Sequence, residues 1–174
     1  MTENPESAIV GTLHADGGEG LVRMSALFQT GIENLWSALT ESQRLARWYG
    51  NFEGEFHVGG LFTAFIPSSG WEGHGRINEC KAPVHLSVTM WEKMGDEQGL
   101  KVDLVATDSQ TNLVLEKRGI SPELCWAFGA GWQAHLEDLS AYLVGLDKAD
   151  LSASWNNRFD ELEPLYRAMS VTPL

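Results

Sequence analysis

Residues 121–146, SPELCWAFGAGWQAHLEDLSAYLVGL, decide the fold. Ser121 offers an N-cap hydroxyl, Pro122 suits a first helical position, and Glu123 sets a carboxylate near the positive end of a helix dipole. A long helix to about Leu146 is expected. Phe128, Trp132, Leu136, Leu139, Leu143 and Leu146 recur at spacings of three and four, so they share one face that has to be buried. Its simplest cover is the apolar face of a sheet.

That sheet lies immediately upstream. From Gly54 to Gly119 apolar residues alternate with polar ones, and Gly59-Gly60, Pro67-Ser68-Ser69-Gly70, Lys81-Ala82-Pro83 and Asp108-Ser109-Gln110 mark the turns of an antiparallel meander. One face carries Phe62, Ala64 and Ile66, then Trp71 and Ile77, then Leu86, Val88 and Met90. It continues through Leu100, Val102, Leu104 and Ala106 to Leu113 and Leu115, while Lys101, Asp103 and Glu116 fall on the side that suits water. Further upstream, Ala8 to Leu13 and Leu21 to Phe28 flank a glycine-rich turn and form a hairpin. Thr30-x-x-Glu33 and Thr40-x-x-Gln43 are two capping boxes, opening short helices over about Gly31–Leu39 and Glu41–Trp48. Downstream, Trp155, Phe159, Leu162, Tyr166 and Met169 keep helical spacing around Pro164, which interrupts or restarts that helix. Residues 1–147 are thus expected to form one domain, and 148–174 a helical appendage docked on that domain or on a second subunit.

Of the 174 residues, 43% are hydrophobic and 21% charged, proportions that exclude disordered and collagen-like chains. A chain of this length buries roughly 70% of its surface in one core. Twelve Lys and Arg against 24 Asp and Glu leave a net charge of −12, which repels phosphate backbones and anionic membranes; neither is an expected partner. Cys80 and Cys125 lack CxxC spacing and suit a reducing compartment. Met1 to Gly20 has no basic start followed by an apolar stretch, and the near-apolar run Leu124 to Trp132 is too short to span a bilayer. A cytoplasmic monomer or homodimer is expected.

Four ordered signatures carry a family resemblance. Leu35-Trp36-Ser37-Ala38-Leu39-Thr40 with Leu45-Ala46-Arg47-Trp48 comes first, and Val58-Gly59-Gly60 with Phe62 second. Gly75-x-Ile77-x-Glu79 with Pro83 and Leu86-x-Val88-Thr89 is third, and Gly131-Trp132-x-x-x-Leu136-x-x-Leu139-x-x-x-Leu143 is fourth. Over about Ala8 to Leu146 the chain resembles the family named for homologues of the heat-shock protein 90 ATPase activator, within the START-like (SRPBCC) superfamily. Gly31 stands where that family usually has proline, Met90-Trp91 where it commonly has Trp directly, and Lys117 where many members have histidine. The resemblance implies an α+β helix-grip fold: a curved antiparallel sheet wrapped around the long C-terminal helix, with two short helices after the first hairpin. It also implies a cavity between helix and sheet that holds a small apolar molecule, or catalyses cyclisation or hydration in a minority of members.

The residues expected to line such a cavity come from both walls. Phe62, Trp71, Ile77, Val88 and Met90 come from the early strands, and Val102, Leu104 and Leu115 from the later ones. Phe128, Trp132 and Leu136 come from the helix, where core packing is the competing role. Three polar residues join them. Glu79 shares the parity of Trp71 and Ile77, and Lys117 that of Leu113 and Leu115, so both are candidates for internal groups that pair with each other or reach water at strand ends. His135, beside Trp132 and Leu136, either exchanges protons at the cavity edge or is satisfied on the helix flank. His14, His57, His74 and His85 are dispersed without metal-ligand spacing, and no phosphate loop, dinucleotide fingerprint or nucleophile elbow occurs; no metal or cofactor is expected and no catalytic residue is assigned. The first functional reading is a binding protein for a small hydrophobic ligand. A cyclase or hydratase using Glu79, His135 or Lys117, and a co-chaperone of a heat-shock ATPase, are the alternatives.

Overall fold

The computed structural model describes residues 9–146 and 150–174. The domain boundary expected at 147/148 and the strand start expected at Ala8 lie outside them. β1 (Val10–Asp16) and β2 (Glu19–Phe28) form the hairpin, closed by Gly17 and Gly18 at φ of 56° and 84°. Positive φ at both central residues is what a two-residue turn matching the strand twist requires. Next come α1 (Ile32–Thr40) and α2 (Ser42–Trp48), then β3 (Asn51–Gly54), β4 (Leu61–Ile66), β5 (Trp71–Lys81), β6 (His85–Trp91), β7 (Gln98–Thr107) and β8 (Gln110–Ile120). The sheet runs in the order β3-β4-β5-β6-β7-β8-β2-β1-β9, with the short β9 (Val171–Pro173) parallel to β1 and every other pairing antiparallel.

Neither capping box forms. Gly31 and Glu41 occupy the N-cap positions without side-chain caps, so each threonine sits one residue too early to reach the orphan amides. The Thr30 hydroxyl instead accepts from the Asn34 amide at 2.8 Å, and Thr40, the last residue of α1, donates back to the Trp36 carbonyl at 2.8 Å.

Alternation along the strands places Phe62, Ala64 and Ile66, then Val88 and Met90, then Val102, Leu104, Leu113 and Leu115 in the interior. Glu116 departs from expectation. It lies on the opposite face yet is buried, roofed by Arg23 at 2.7 Å and Arg118 at 3.1 Å. Burial alone would raise its pKa, but hydrogen bonds from Arg23 and Arg118 and the charges of Lys101 and Arg118 outweigh it and hold the carboxyl below its ordinary range.

The fold-deciding stretch forms a 3-10 turn (Pro122–Leu124) followed by α3 (Cys125–Leu143). Ser121 accepts the Leu124 amide through its backbone carbonyl, and its hydroxyl makes no cap. The helix stops short of Leu146, which is left 63% exposed beyond Gly145 at φ 80°. Trp132, Leu136 and Leu139 are buried as expected; so are Gly129, Ala130, Gly131 and Ala134, because a second helix covers α3.

That helix is α4 (Leu151–Arg167), opened by Asp150, whose carboxylate accepts the Ala153 amide at 3.0 Å. Pro164 neither interrupts nor restarts it. Buried Leu162 and Tyr166 flank the proline, and their packing outweighs the lost backbone bond. Trp155, Leu162 and Tyr166 enter the same core as Leu139 and Met24, so α4 docks on its own chain. The Trp155 indole donates to the Gly131 carbonyl at 3.1 Å, Tyr166 donates to Gln133 at 2.7 Å, and Arg158 grips Glu137 at 2.7 and 3.0 Å. Among the described residues, no helix is long and apolar enough to cross a membrane.

Close approach explains the glycines of α3. A Cβ on Gly129 would stand 2.6 Å from the Tyr166 ring and 3.1 Å from Leu13, with Tyr166 tied down by Gln133. Gly129→Ala gains about 1 kcal/mol of helix propensity but suffers overpacking of about 1–3 kcal/mol. A net loss of stability is expected in denaturant titration, with faster proteolysis within α4.

Candidate functional site

α3, α4 and the sheet do not close on one another. A cavity of about 440 Å³ remains between Phe128, Gly131, Trp132 and His135 of α3, Trp155 and Phe159 of α4, and a wall of Ile66, Trp71, Met90 and Lys117. Its mouth lies at exposed Ser69, Gly70 and Glu92. α4 reaches over that mouth, with Ser152 donating to the Pro67 carbonyl at 3.4 Å and Asn156 to the Ser68 carbonyl at 3.3 Å. A second, smaller cavity of about 140 Å³ lies among α1, α2 and the middle strands, with exposed Phe56 and Cys80 at its rim. Tyr49, Met90 and Trp132 line both spaces and so form the partition between them.

Aromatic rings dominate the partition. Tyr49 at the end of α2 stacks on Trp48 at 5.3 Å and lies 5.2 Å from Trp132 and 4.8 Å from His135, ring centre to ring centre. His135 also lies 5.4 Å from Trp132 and 5.3 Å from Trp155, whose ring stacks on Phe159 at 5.0 Å. Such edge and stacked pairs stiffen a wall without adding polar groups.

Two nitrogens in this wall lack ordinary partners. His135 is 7% exposed, its Nδ1 has no hydrogen-bond partner, and burial pushes its pKa down to about 3, so the ring is neutral. Lys117 is 6% exposed; its Nζ lies 5.9 Å from the centre of the Phe128 ring, and burial pulls its pKa down to about 8. Burial likewise raises the Tyr49 hydroxyl above its ordinary range. Among the described residues, no group of three His, Cys, Asp or Glu could hold a metal ion.

The sequence profile of the family described as activator of Hsp90 ATPase homolog 1-like protein matches residues 29–144, two thirds of the chain. The chain belongs to this family. No curated protein matches it. Among solved structures it is similar to CalU16 from Micromonospora echinospora, at 18% identity and a TM-score of 0.73 over 96% of this chain and 100% of that one. It is also similar to DynU16 of the dynemicin biosynthetic locus, at 18% identity and a TM-score of 0.69 over 76% of this chain and 50% of that one. PFC0360w, an HSP90 activator from Plasmodium falciparum, shares 21% identity and a TM-score of 0.60 over 71% of this chain and 96% of that one. At such identities these neighbours establish the fold, which is helix-grip.

In this family member the expected wall residues divide between the two spaces. Trp71, Lys117, Phe128 and His135 face the outer cavity; Phe62, Ile77, Val88, Val102, Leu115 and Leu136 face the smaller one; Met90 and Trp132 border both. Two do not reach either. Leu104 is buried in the main core away from both cavities. Glu79 points outward, because a β-bulge between Ile77 and Glu79 shifts the register by one residue and reverses the alternation. Its carboxylate lies 3.3 Å from His85, which also meets Asp103 at 2.6 Å, while Cys80, itself exposed, takes the opposite parity and lines the rim of the smaller cavity. Glu79 and Lys117 therefore do not pair. Tyr49, Trp155 and Phe159 were not expected in the wall: Tyr49 follows the apolar stripe of α2 by one residue, and the other two lie on a helix whose docking site the sequence leaves open.

Both nitrogens have measurable consequences. The unfolded chain binds a proton at His135 near its ordinary pKa and the folded chain does not, so this residue removes stability as pH falls from about 6.5 toward 3. His135→Phe should widen its thermal-stability advantage over the native chain across that window. Lys117 penalises folding most below pH 8, and the penalty fades as pH rises toward 10.5. Lys117→Met should therefore stabilise the chain at neutral pH, by on the order of 2 kcal/mol in denaturant unfolding.

Proposed function

We propose that the chain is a binding protein for a small apolar molecule, held between α3, α4 and the sheet. The observation that carries this reading is the outer cavity of about 440 Å³, which falls in the usual range of about 300–1,000 Å³ for ligand sites and is walled by aromatic rings with few polar groups. The smaller cavity across the Tyr49–Trp132 partition offers room for a narrow substituent. Catalysis of the cyclase or hydratase type has less support: Glu79 lies outside, and the carboxylate nearest the cavity, Glu92, sits exposed at its mouth. The family's description and the Plasmodium neighbour support a second reading, stimulation of a heat-shock ATPase, in which the aromatic cavity would have no part. The unpaired thiols Cys80 and Cys125 are consistent with action in the cytoplasm.

The neutral fluorescent probe N-phenyl-1-naphthylamine tests the first reading. It should bind with enhanced emission, and Ala127→Trp, which fills the outer cavity from α3, should weaken that binding roughly tenfold while leaving the thermal transition within a few degrees. No binding, or binding that ignores Ala127→Trp, removes the assignment.

A further inference from the structure

We propose that the cavity's occupant is a planar apolar carboxylic acid whose carboxylate pairs with the ammonium of Lys117. This rests on the reading of the cavity as a ligand site and adds the chemical class of the ligand.

Lys117 stands on β8 opposite Leu100, on the same face as Leu115, and is 6% exposed. Among the described residues no carboxylate lies within ion-pairing distance of it. Glu116 is next in sequence but faces the other side of the sheet, where Arg23, Arg118 and Lys101 already engage it. Glu92 lines the same cavity from the exposed rim. The remaining titratable wall groups, Tyr49 and His135, are held neutral by burial. A buried ammonium facing Phe128 and open space, with no counter-charge, is costly to the fold. An anionic group on the occupant removes that cost, because charge-assisted hydrogen bonds strengthen where water is excluded.

Chemistry narrows the anion. Burial leaves Lys117 titrating near pH 8, so at neutral pH the ammonium predominates. An ordinary phenol titrates near pH 10 and would stay neutral beside it, whereas a carboxylic acid is ionised. The rings of Trp132, Trp155 and Phe128 favour a flat hydrocarbon body.

The test compares anthracene-2-carboxylate with anthracene-2-carboxamide, which match in shape and differ in charge, by fluorescence titration of the full chain at neutral pH. The carboxylate should bind roughly tenfold more tightly. Lys117→Met should abolish that preference by weakening the carboxylate while leaving the carboxamide within about threefold. In the native chain, the lysine 13Cε resonance of Lys117 should titrate about one pH unit higher with carboxylate bound than with carboxamide, a readout that needs no variant to fold. Equal binding of the two probes, a preference that survives Lys117→Met, or an unmoved Lys117 titration overturns the carboxylate assignment and leaves the cavity reading in place. Failure of both probes to bind overturns the two together.

Discussion

At Gly129 and Gly131 α3 carries no side chain toward α4, and the rings that occupy that space, Tyr166 and Trp155, set where α4 lies. On its other side the same helix turns Trp132 and Leu136 toward the sheet. A cylinder with one smooth side and one bulky side can be held tightly by a helix and loosely by a curved sheet. The outer cavity is the space left where these two modes of packing meet. Its aromatic lining follows from the same contacts, since Trp155 and Phe159 belong to α4 and Trp132 and Phe128 to α3.

The site combines two unfavourable features that a fully packed core would lack. His135 keeps a buried nitrogen without a partner, and Lys117 keeps a buried charge without a counter-ion. Several buried polar groups elsewhere are matched: Glu116 has two arginines, Thr111 donates to the Thr30 carbonyl, and the Trp48 indole donates to the Ala38 carbonyl, although Ser68 Oγ and His85 Nε2 also lack hydrogen-bond partners. An unmatched charge on a concave wall weakens the folded state while giving a bound molecule something to recognise.

Most of the frame was legible from spacing. Parity along β4, β6, β7 and β8 identified the interior face, including the inward turn of Lys117, because side chains alternate strictly wherever pairing is regular. Parity failed at Glu79, since a bulge at residue 78 is a property of how β5 pairs with β6 and not of β5 alone. The capping boxes failed for a related reason. Thr30 and Thr40 match a local pattern, but the chain enters each helix one residue later to bring Leu35 and Leu45 into the core.

The sequence by itself determined most element types, from periodicity within single segments, and the family and its helix-grip frame, from the resemblance carried by ordered short motifs; the short strands β3 and β9 were not legible, because they are too short to show an alternation of their own. Tertiary structure alone decided that α4 folds back onto α3 through Pro164, that Tyr49, Trp155 and Phe159 join the wall, and that Glu79 leaves it. Those outcomes depend on the distance between segments far apart in sequence, and on whether a gap of that width is filled by side chains or left open.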